Sequence, residues 1–303
     1  MKLLEKLCQI QAPSGSEHTM QEFLLDYIKK NSKNWDSKPK VITGPDVQNA
    51  IILVFGKPKT AIFAHMDSIG FTVRYGKELV KIGGPKTENG YELVGEDTKG
   101  PITCKLQVNE KKELSYKFNR EIERGTTLTF KPNFRETKEY VQTPYLDNRL
   151  GVWNALQVAQ TLKNGIICFS CWEEHGGGNA EVLGKYIYER YKVSQALISD
   201  ITWITEGVVH NKGVAISIRD SGIPRRMYVN KIIELAKKSK IPFQLEVESA
   251  GGSDGNALQR TPYPFDWCFI GAAESFVHSP DEKVHKNDIQ AMVEMYSYLM
   301  KKL

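Results

Sequence analysis

The sequence has no long hydrophobic run, no low-complexity tract, no repeat of fixed period and no strong charge of either sign. Each absence excludes something. A membrane-spanning helix needs about 20 apolar residues in a row, and no stretch approaches that, so no membrane partner is expected. Lysine and arginine number 41 against 36 acidic residues, interspersed, for a net charge of +5. That balance is too weak to predict binding to nucleic acid or an anionic surface. The five cysteines (Cys8, Cys104, Cys168, Cys171 and Cys268) are odd in number and scattered, a pattern of reduced thiols rather than a disulfide framework. Residues Met1 to Lys6 carry Glu5 early and lack the apolar core of a secretory signal. A cytoplasmic protein is expected.

The chain of 303 residues is long enough to bury a large core. Pro13-Ser14-Gly15-Ser16-Glu17 has capping-box spacing, and Met20, Phe23, Leu24, Tyr27 and Ile28 then fall on one helical face. Two strands are predicted at 50–55 and 60–64, parted by a turn at Gly56-Lys57-Pro58-Lys59. From about 71 to 141 helical periodicity fades, and short β-type runs alternate with Gly, Asn, Asp and Lys clusters, as in a small barrel or sandwich. Val152, Ala155, Leu156 and Ala159 restore a helical face. Beyond them strands are predicted at 166–171, 196–199, 243–247 and 267–270, with helices at about 179–191, 227–239 and from 287 onward. The reading is an α/β fold. A three-layer α/β/α domain with a mixed sheet (1–70 and 142–303) is interrupted by an inserted all-β, barrel-like domain (71–141).

Acids and histidines stand where the hydrophobic runs end. Ala61 to Ala64 leads into His65-Met66-Asp67, 166–169 into Glu173-Glu174, 196–199 into Asp200, and 268–271 toward His278. In open α/β sheets ligands bind beyond the carboxyl ends of strands, so such residues converge. His65 and Asp67, two apart, would point to one side of an extended segment. There Asp67 could hold the imidazole for a metal, or the pair could be a surface hydrogen bond. Glu173 and Glu174 should repel unless a cation or a shared proton stabilises them; a solvated turn is the alternative. Gly176-Gly177-Gly178 follows them and permits close backbone approach. Alone, Asp200 reads as a helix or turn cap, and Ser279 with Glu282 as a capping box. Cys168 and Cys171 form a CxxC whose odd spacing on a strand sends the thiols to opposite faces, so buried structural cysteines are expected. Gly83-Gly84 reads as a turn of the β module.

Several segments together resemble one family. They are Ala12 to Glu17, Ala64 to Gly70, Leu146 to Gly151, Glu173-Glu174, Ser199-Asp200, Gly251 to Ala257 and His278-Ser279-Pro280. In this order they resemble the cocatalytic metallo-aminopeptidases of the glutamyl aminopeptidase and tetrahedral (TET) type, metallopeptidase family 42, over nearly the whole chain. The resemblance implies two divalent ions, with His65 and Asp200 on one, Glu174 and His278 on the other, and Asp147 bridging. Glu173 would be the general base and Asp67 would orient His65. Oxygen and imidazole ligands without thiolates suit Zn²⁺ or Co²⁺, or Mn²⁺. The implied substrate is a peptide with a free N-terminus, and a homo-oligomer is implied too. Gly252, Asp254 and His175 are candidate substrate contacts. The chain departs from the family in its compact inserted module, in His175 to Asn179 after the glutamates, and in Ser275-Phe276-Val277 before His278. The rival reading is an aminoacylase, carboxypeptidase or dipeptidase of the related fold; for the carboxypeptidase, an arginine clamp on a carboxylate would be needed. A non-catalytic scaffold is a further alternative.

Overall fold

The computed structural model describes residues 1–303. Helices α1 (Lys2–Gln9) and α2 (His18–Asn31) precede β1 (Lys40–Ile42), β2 (Ile51–Phe55) and β3 (Ala61–His65). A second group follows: β4 (Gly70–Val73), β5 (Leu79–Ile82), β6 (Glu92–Asp97), β7 (Gly100–Val108), β8 (Leu114–Lys117) and β9 (Thr127–Phe130). The remainder comprises β10 (Arg135–Glu136), β11 (Tyr140–Gln142), α3 (Leu146–Ala159), β12 (Gly165–Ser170), α4 (Ala180–Tyr191), β13 (Gln195–Trp203) and β14 (Val214–Arg219). It ends with α5 (Arg226–Ser239), β15 (Phe243–Val247), α6 (Asp254–Arg260), β16 (Asp266–Ser275), β17 (Lys283–His285) and α7 (Lys286–Lys302).

The large sheet is mixed, ordered β1-β2-β12-β3-β13-β16-β17-β11-β10, with β14 joining β16 to β15. Its middle, β12-β3-β13-β16, is parallel. Every residue of β2, β3 and β12 is buried, as expected of strands covered on both faces. Helices α1, α3, α5 and α7 pack together over one face, and α4 lies with α6. Chain order explains the two layers. The path runs from β3 to β12 on one side through α3, then from β12 past β3 to β13 through α4. Right-handed crossovers in opposite directions place those helices on opposite faces. The direction reverses at β3, and the crevice at such a switch point is where ligands bind.

The smaller sheet is antiparallel, ordered β5-β4-β9-β6-β7-β8. Its outer strands approach each other through a bridge between Glu78 and Ser115 and a Tyr116 N–H bond to the Lys77 carbonyl at 3.2 Å. The result is barrel-like, around its own core of Phe71, Leu93, Leu128 and Phe130. The span 71–141 also contains β10 and β11, which belong to the large sheet through β17.

Other expectations need correction. Ser14 and Glu17 form no capping box: Glu17 accepts from Gly15 N–H and Trp172 N–H, and the Ser14 hydroxyl goes to Asp67. Tertiary partners outcompete the local cap. Strands β13 and β16 run past their predicted ends, so Asp200 lies within a strand rather than after one. Ser279 and Glu282 cap no helix either; the Ser279 hydroxyl accepts from Asp281 N–H, and Glu282 turns inward. Helices α1 and α6 and strand β14 carried no prediction.

Helix α3 is buried nearly all round, and its start is pinned to β13. Asn148 Nδ2 donates to the Ser199 carbonyl at 2.9 Å, the Ser199 hydroxyl donates to the Gly151 carbonyl at 3.1 Å, and Asn154 Nδ2 donates to the Ser199 hydroxyl at 2.9 Å. A Cβ at Gly151 would stand 2.1 Å from both the Ser199 carbonyl and Asn148 Oδ1. Glycine to alanine in an ordinary helix interior stabilises by about 1 kcal/mol. Gly151→Ala is instead expected to destabilise by about 1–3 kcal/mol through overpacking, read as a lower Tm; an unchanged or raised Tm would contradict this packing.

Candidate metal centre

His65 ends β3, Asp147 opens α3, Asp200 lies in β13, and Glu173, Glu174 and His278 sit on turns after β12 and β16. The fold brings all six together. His65 Nε2 lies 3.2 Å from Asp147 Oδ1, 3.5 Å from Asp200 Oδ2 and 3.9 Å from Glu173 Oε2. On the other side His278 Nε2 lies 3.3 Å from Asp147 Oδ2 and 3.2 Å from Glu174 Oε2. Asp147 therefore turns one oxygen to each histidine. Ligand atoms of His65, Asp147 and Glu174 all fall within 4.8 Å of one another.

Asp67 organises one half. It is fully buried and accepts from the Ser14 hydroxyl at 2.6 Å, Glu173 N–H at 3.1 Å and Glu174 N–H at 3.1 Å. Its Oδ1 faces His65 Nδ1 at 3.4 Å. Burial opposes its ionisation, yet His65, the Ser14 hydroxyl and the backbone donors together hold its pKa below the ordinary value. Arg149, also fully buried, donates to the Met66 carbonyl at 2.5 Å and the Asp67 carbonyl at 3.1 Å, fixing the segment after β3.

Glu282 organises the other half. Its Oε1 accepts from His278 N–H at 2.9 Å and its Oε2 from Asp147 N–H at 3.2 Å. His278 Nδ1 faces the Gly84 carbonyl at 3.2 Å, which turns Nε2 toward Asp147 and Glu174. A Cβ at Gly84 would lie 3.1 Å from that Nδ1, so glycine permits the approach. The smaller sheet thus borders the centre, through a Gly83-Gly84 turn that looked incidental. Ser14, Arg149, Glu282 and Gly84 were not singled out as site residues: apart from the His278 amide on Glu282, their partners lie 50 or more positions away, where local spacing marks nothing.

The electrostatics are those of crowded acids. Burial raises the Glu173 carboxyl well above the ordinary range, with Asp200 and Glu174 adding to it. Burial and Asp147 push Glu174 up to about 7, and burial, with Asp147 adding, pushes Asp200 up to about 6. For both histidines burial disfavours the charge, but the surrounding carboxylates outweigh it. His65 rises well above its usual value, and His278 to about 12. Glu174 Oε1 is buried without a hydrogen-bond partner. Imidazole nitrogens and carboxylate oxygens facing inward, with an orphaned oxygen among them, fit a divalent cation set.

The substrate candidates divide. Gly252 lines the cleft of about 300 Å³ that opens from the centre. Asp254 stands behind it, 1% exposed, with the Ser170 hydroxyl on Oδ2 at 2.5 Å and Oδ1 unpartnered. His175 is exposed and accepts from Gly83 N–H at 3.0 Å. Of these three, only Gly252 lines the cleft. All five cysteines are buried and free.

The sequence profile of the M42 glutamyl aminopeptidase family matches residues 99–295. The chain belongs to this family. It is accordingly a peptidase of aminopeptidase type, and the family, being one of metallopeptidases, implies divalent metal. A protein of Acetivibrio thermocellus bearing an aminopeptidase name is 27% identical over 97% of this chain and 96% of its own. Lysyl aminopeptidase of Pyrococcus furiosus is 24% identical over 100% of this chain and 97% of its own. Among solved structures, Pyrococcus horikoshii TET1 peptidase, described as able to assemble into a tetrahedron or a large octahedral shell, superposes with TM-score 0.83. That match is 23% identical and covers 100% of this chain and 99% of that one. No helix of this M42 chain is long and apolar enough to cross a membrane.

Asp254 supplies a test of the buried charge. Burial raises its carboxyl from 3.8 to about 6, so between those values the folded chain binds the proton more tightly than the unfolded one. Stability then falls as pH rises through that window. Asp254→Asn keeps an acceptor for Ser170, so it is expected to gain about 2–3 kcal/mol at about pH 7.5 and nothing below about pH 4. Urea melts of both proteins across that range check it; a gain that does not depend on pH would contradict it.

Proposed function

We propose that the M42 chain is a dinuclear metal-dependent aminopeptidase that removes N-terminal residues from peptides with a free N-terminus. The observation that carries the reading is Asp147, with one oxygen toward His65 and the other toward His278. In this reading His65 and Asp200 would hold one ion and Glu174 and His278 the other, with Asp147 serving both. Zn²⁺ or Co²⁺ suits the donors best, with Mn²⁺ compatible. Such a pair, when bound, activates water near neutral pH and polarises the scissile carbonyl.

The residues do the rest. Glu173 takes the proton from the attacking water and returns it to the leaving amine. Its raised pKa, from burial and then neighbouring acids, suits a group that must both accept and release a proton. Asp67 and Gly84 orient the two imidazoles from behind, as outer partners of metal-binding histidines do. A carboxypeptidase would need an arginine in the cleft, and none lines it; Arg149 is committed to main-chain carbonyls and Arg225 to Asp266. By analogy with the TET relatives, the working form is a homo-oligomer.

Purified protein is expected to hold up to two divalent ions per chain and to cleave free aminoacyl amides but not their N-acetyl forms. Cleavage confined to the N-acetylated substrates would overturn the reading. Glu173→Gln should keep its metal content by elemental analysis while kcat falls at least about 100-fold; a variant of near-normal rate would remove Glu173 as the base.

A further inference from the structure

The cleft holds more negative charge than the metal centre uses. Seven carboxylates line it, and no lysine or arginine does. Asp147, Glu173, Glu174 and Asp200 belong to the centre, which leaves Asp220, Glu246 and Glu248. This excess sits in a chain whose net charge is +5, yet no lysine or arginine nitrogen lies within 4.0 Å of these three carboxylates. Arg219, next in sequence to Asp220, spends its Nε on the Asp220 main-chain carbonyl at 3.1 Å.

Glu246 is the decisive member. It is 3% exposed, and its Oε1 accepts from the Thr202 hydroxyl, a neutral partner. A buried carboxylate without a counter-charge is expensive, and here it borders open space continuous with the reaction centre. Asp220, 7% exposed, has the Gly222 N–H on its Oδ1 at 2.6 Å, and the nearby Arg219 charge offsets part of its burial without forming an ion pair. Burial raises both carboxyls, so an arriving cation would stabilise their charged forms.

The distances suit a long cationic side chain. Asp200 and Thr202 are two apart on β13, hence on one side of the strand and about 7 Å apart. Glu246 accepts from the Thr202 hydroxyl, so its carboxylate lies beside the residue two places along the strand from the metal ligand Asp200. The cleft wall also includes Trp203 and Phe269, apolar surface for methylene groups. A four-carbon stem ending in an ammonium would span from the centre to the acids.

We propose that this arm of the cleft selects peptides whose first residue is lysine or arginine, with Glu246 and Asp220 receiving the side-chain cation and Glu248 at the rim. The proposal rests on the aminopeptidase reading above and names its substrate class. A competing role, in which the same acids hold the peptide's α-amino group, would act on every substrate alike.

The test compares lysyl, arginyl and norleucyl amides, norleucine matching the lysine stem without its charge. The metal-loaded protein is expected to show kcat/KM at least about tenfold higher for the lysyl and arginyl amides; a norleucyl rate equal or higher overturns the proposal. Glu246→Gln and Asp220→Asn, checked for a normal melt, are each expected to lower the lysyl-to-norleucyl ratio at least about fivefold. An equal loss on all substrates would place the acids on the α-amino group and overturn it. Calorimetry with L-lysinol and L-norleucinol, which have no bond to cleave, separates this proposal from the one it rests on. Lysinol preference without cleavage of any amide would sink the peptidase reading and leave the cationic arm standing. Cleavage without lysinol preference would do the reverse.

Discussion

The buried carboxylate of Asp67 is the constraint from which the site is built. Four groups meet on it: the Ser14 hydroxyl and the Glu173 and Glu174 amides from two remote segments, and His65 Nδ1 from its own. A fully buried charge is tolerable only when it is so surrounded. Satisfying it draws the N-terminal loop, the end of β3 and the turn after β12 into one register. Moving any of them would unpair the carboxylate and shift His65 or the glutamates together. Arg149 adds a second lock on the same segment through the Met66 and Asp67 carbonyls.

Glu282 plays the parallel part for the other half, bonding the backbone amides of Asp147 and His278 with one carboxylate. The centre is thus suspended between two buried acids, Asp67 and Glu282. Inside, carboxylates crowd around two imidazoles, each strongly perturbed by burial and by the others. Such a cluster costs stability in the free chain, and divalent cations bound there would relieve the cost. Further down the cleft Glu246 and Asp220 are likewise buried and form no ion pair.

Much of the frame was legible from the sequence. The apolar runs at β2, β3 and β12 predict strands because a strand buried on both faces must be apolar throughout, and these segments are. Placement of His65 at the end of β3 and of Glu173 and Glu174 beyond β12 follows from those runs. Strand lengths were less legible: β13 and β16 continue through Asp200 and Glu274 because neighbouring strands pair there, which overrides polar residues that read as strand ends. Helix α6 was missed because Gly251-Gly252-Ser253 reads as loop, although Ser253 caps that helix by accepting from Gly255 N–H. The capping box at Ser14 and Glu17 failed for the opposite reason, since both side chains found stronger partners far away.

By itself, the sequence determined the alternating α/β frame, the inserted β module and the set of acids and histidines available to a metal centre, because hydrophobic period and residue chemistry are local properties. Only the tertiary structure decided how those residues act. It turned Asp147 between two histidines, gave Ser14, Arg149 and Glu282 their positioning roles, and brought Gly84 from the smaller sheet against His278. It also left Asp220 and Glu246 lining the cleft without a close ion pair. These are contacts between residues tens to hundreds of positions apart. No periodicity records them, because they are fixed only when packing leaves a buried polar group one partner it can reach.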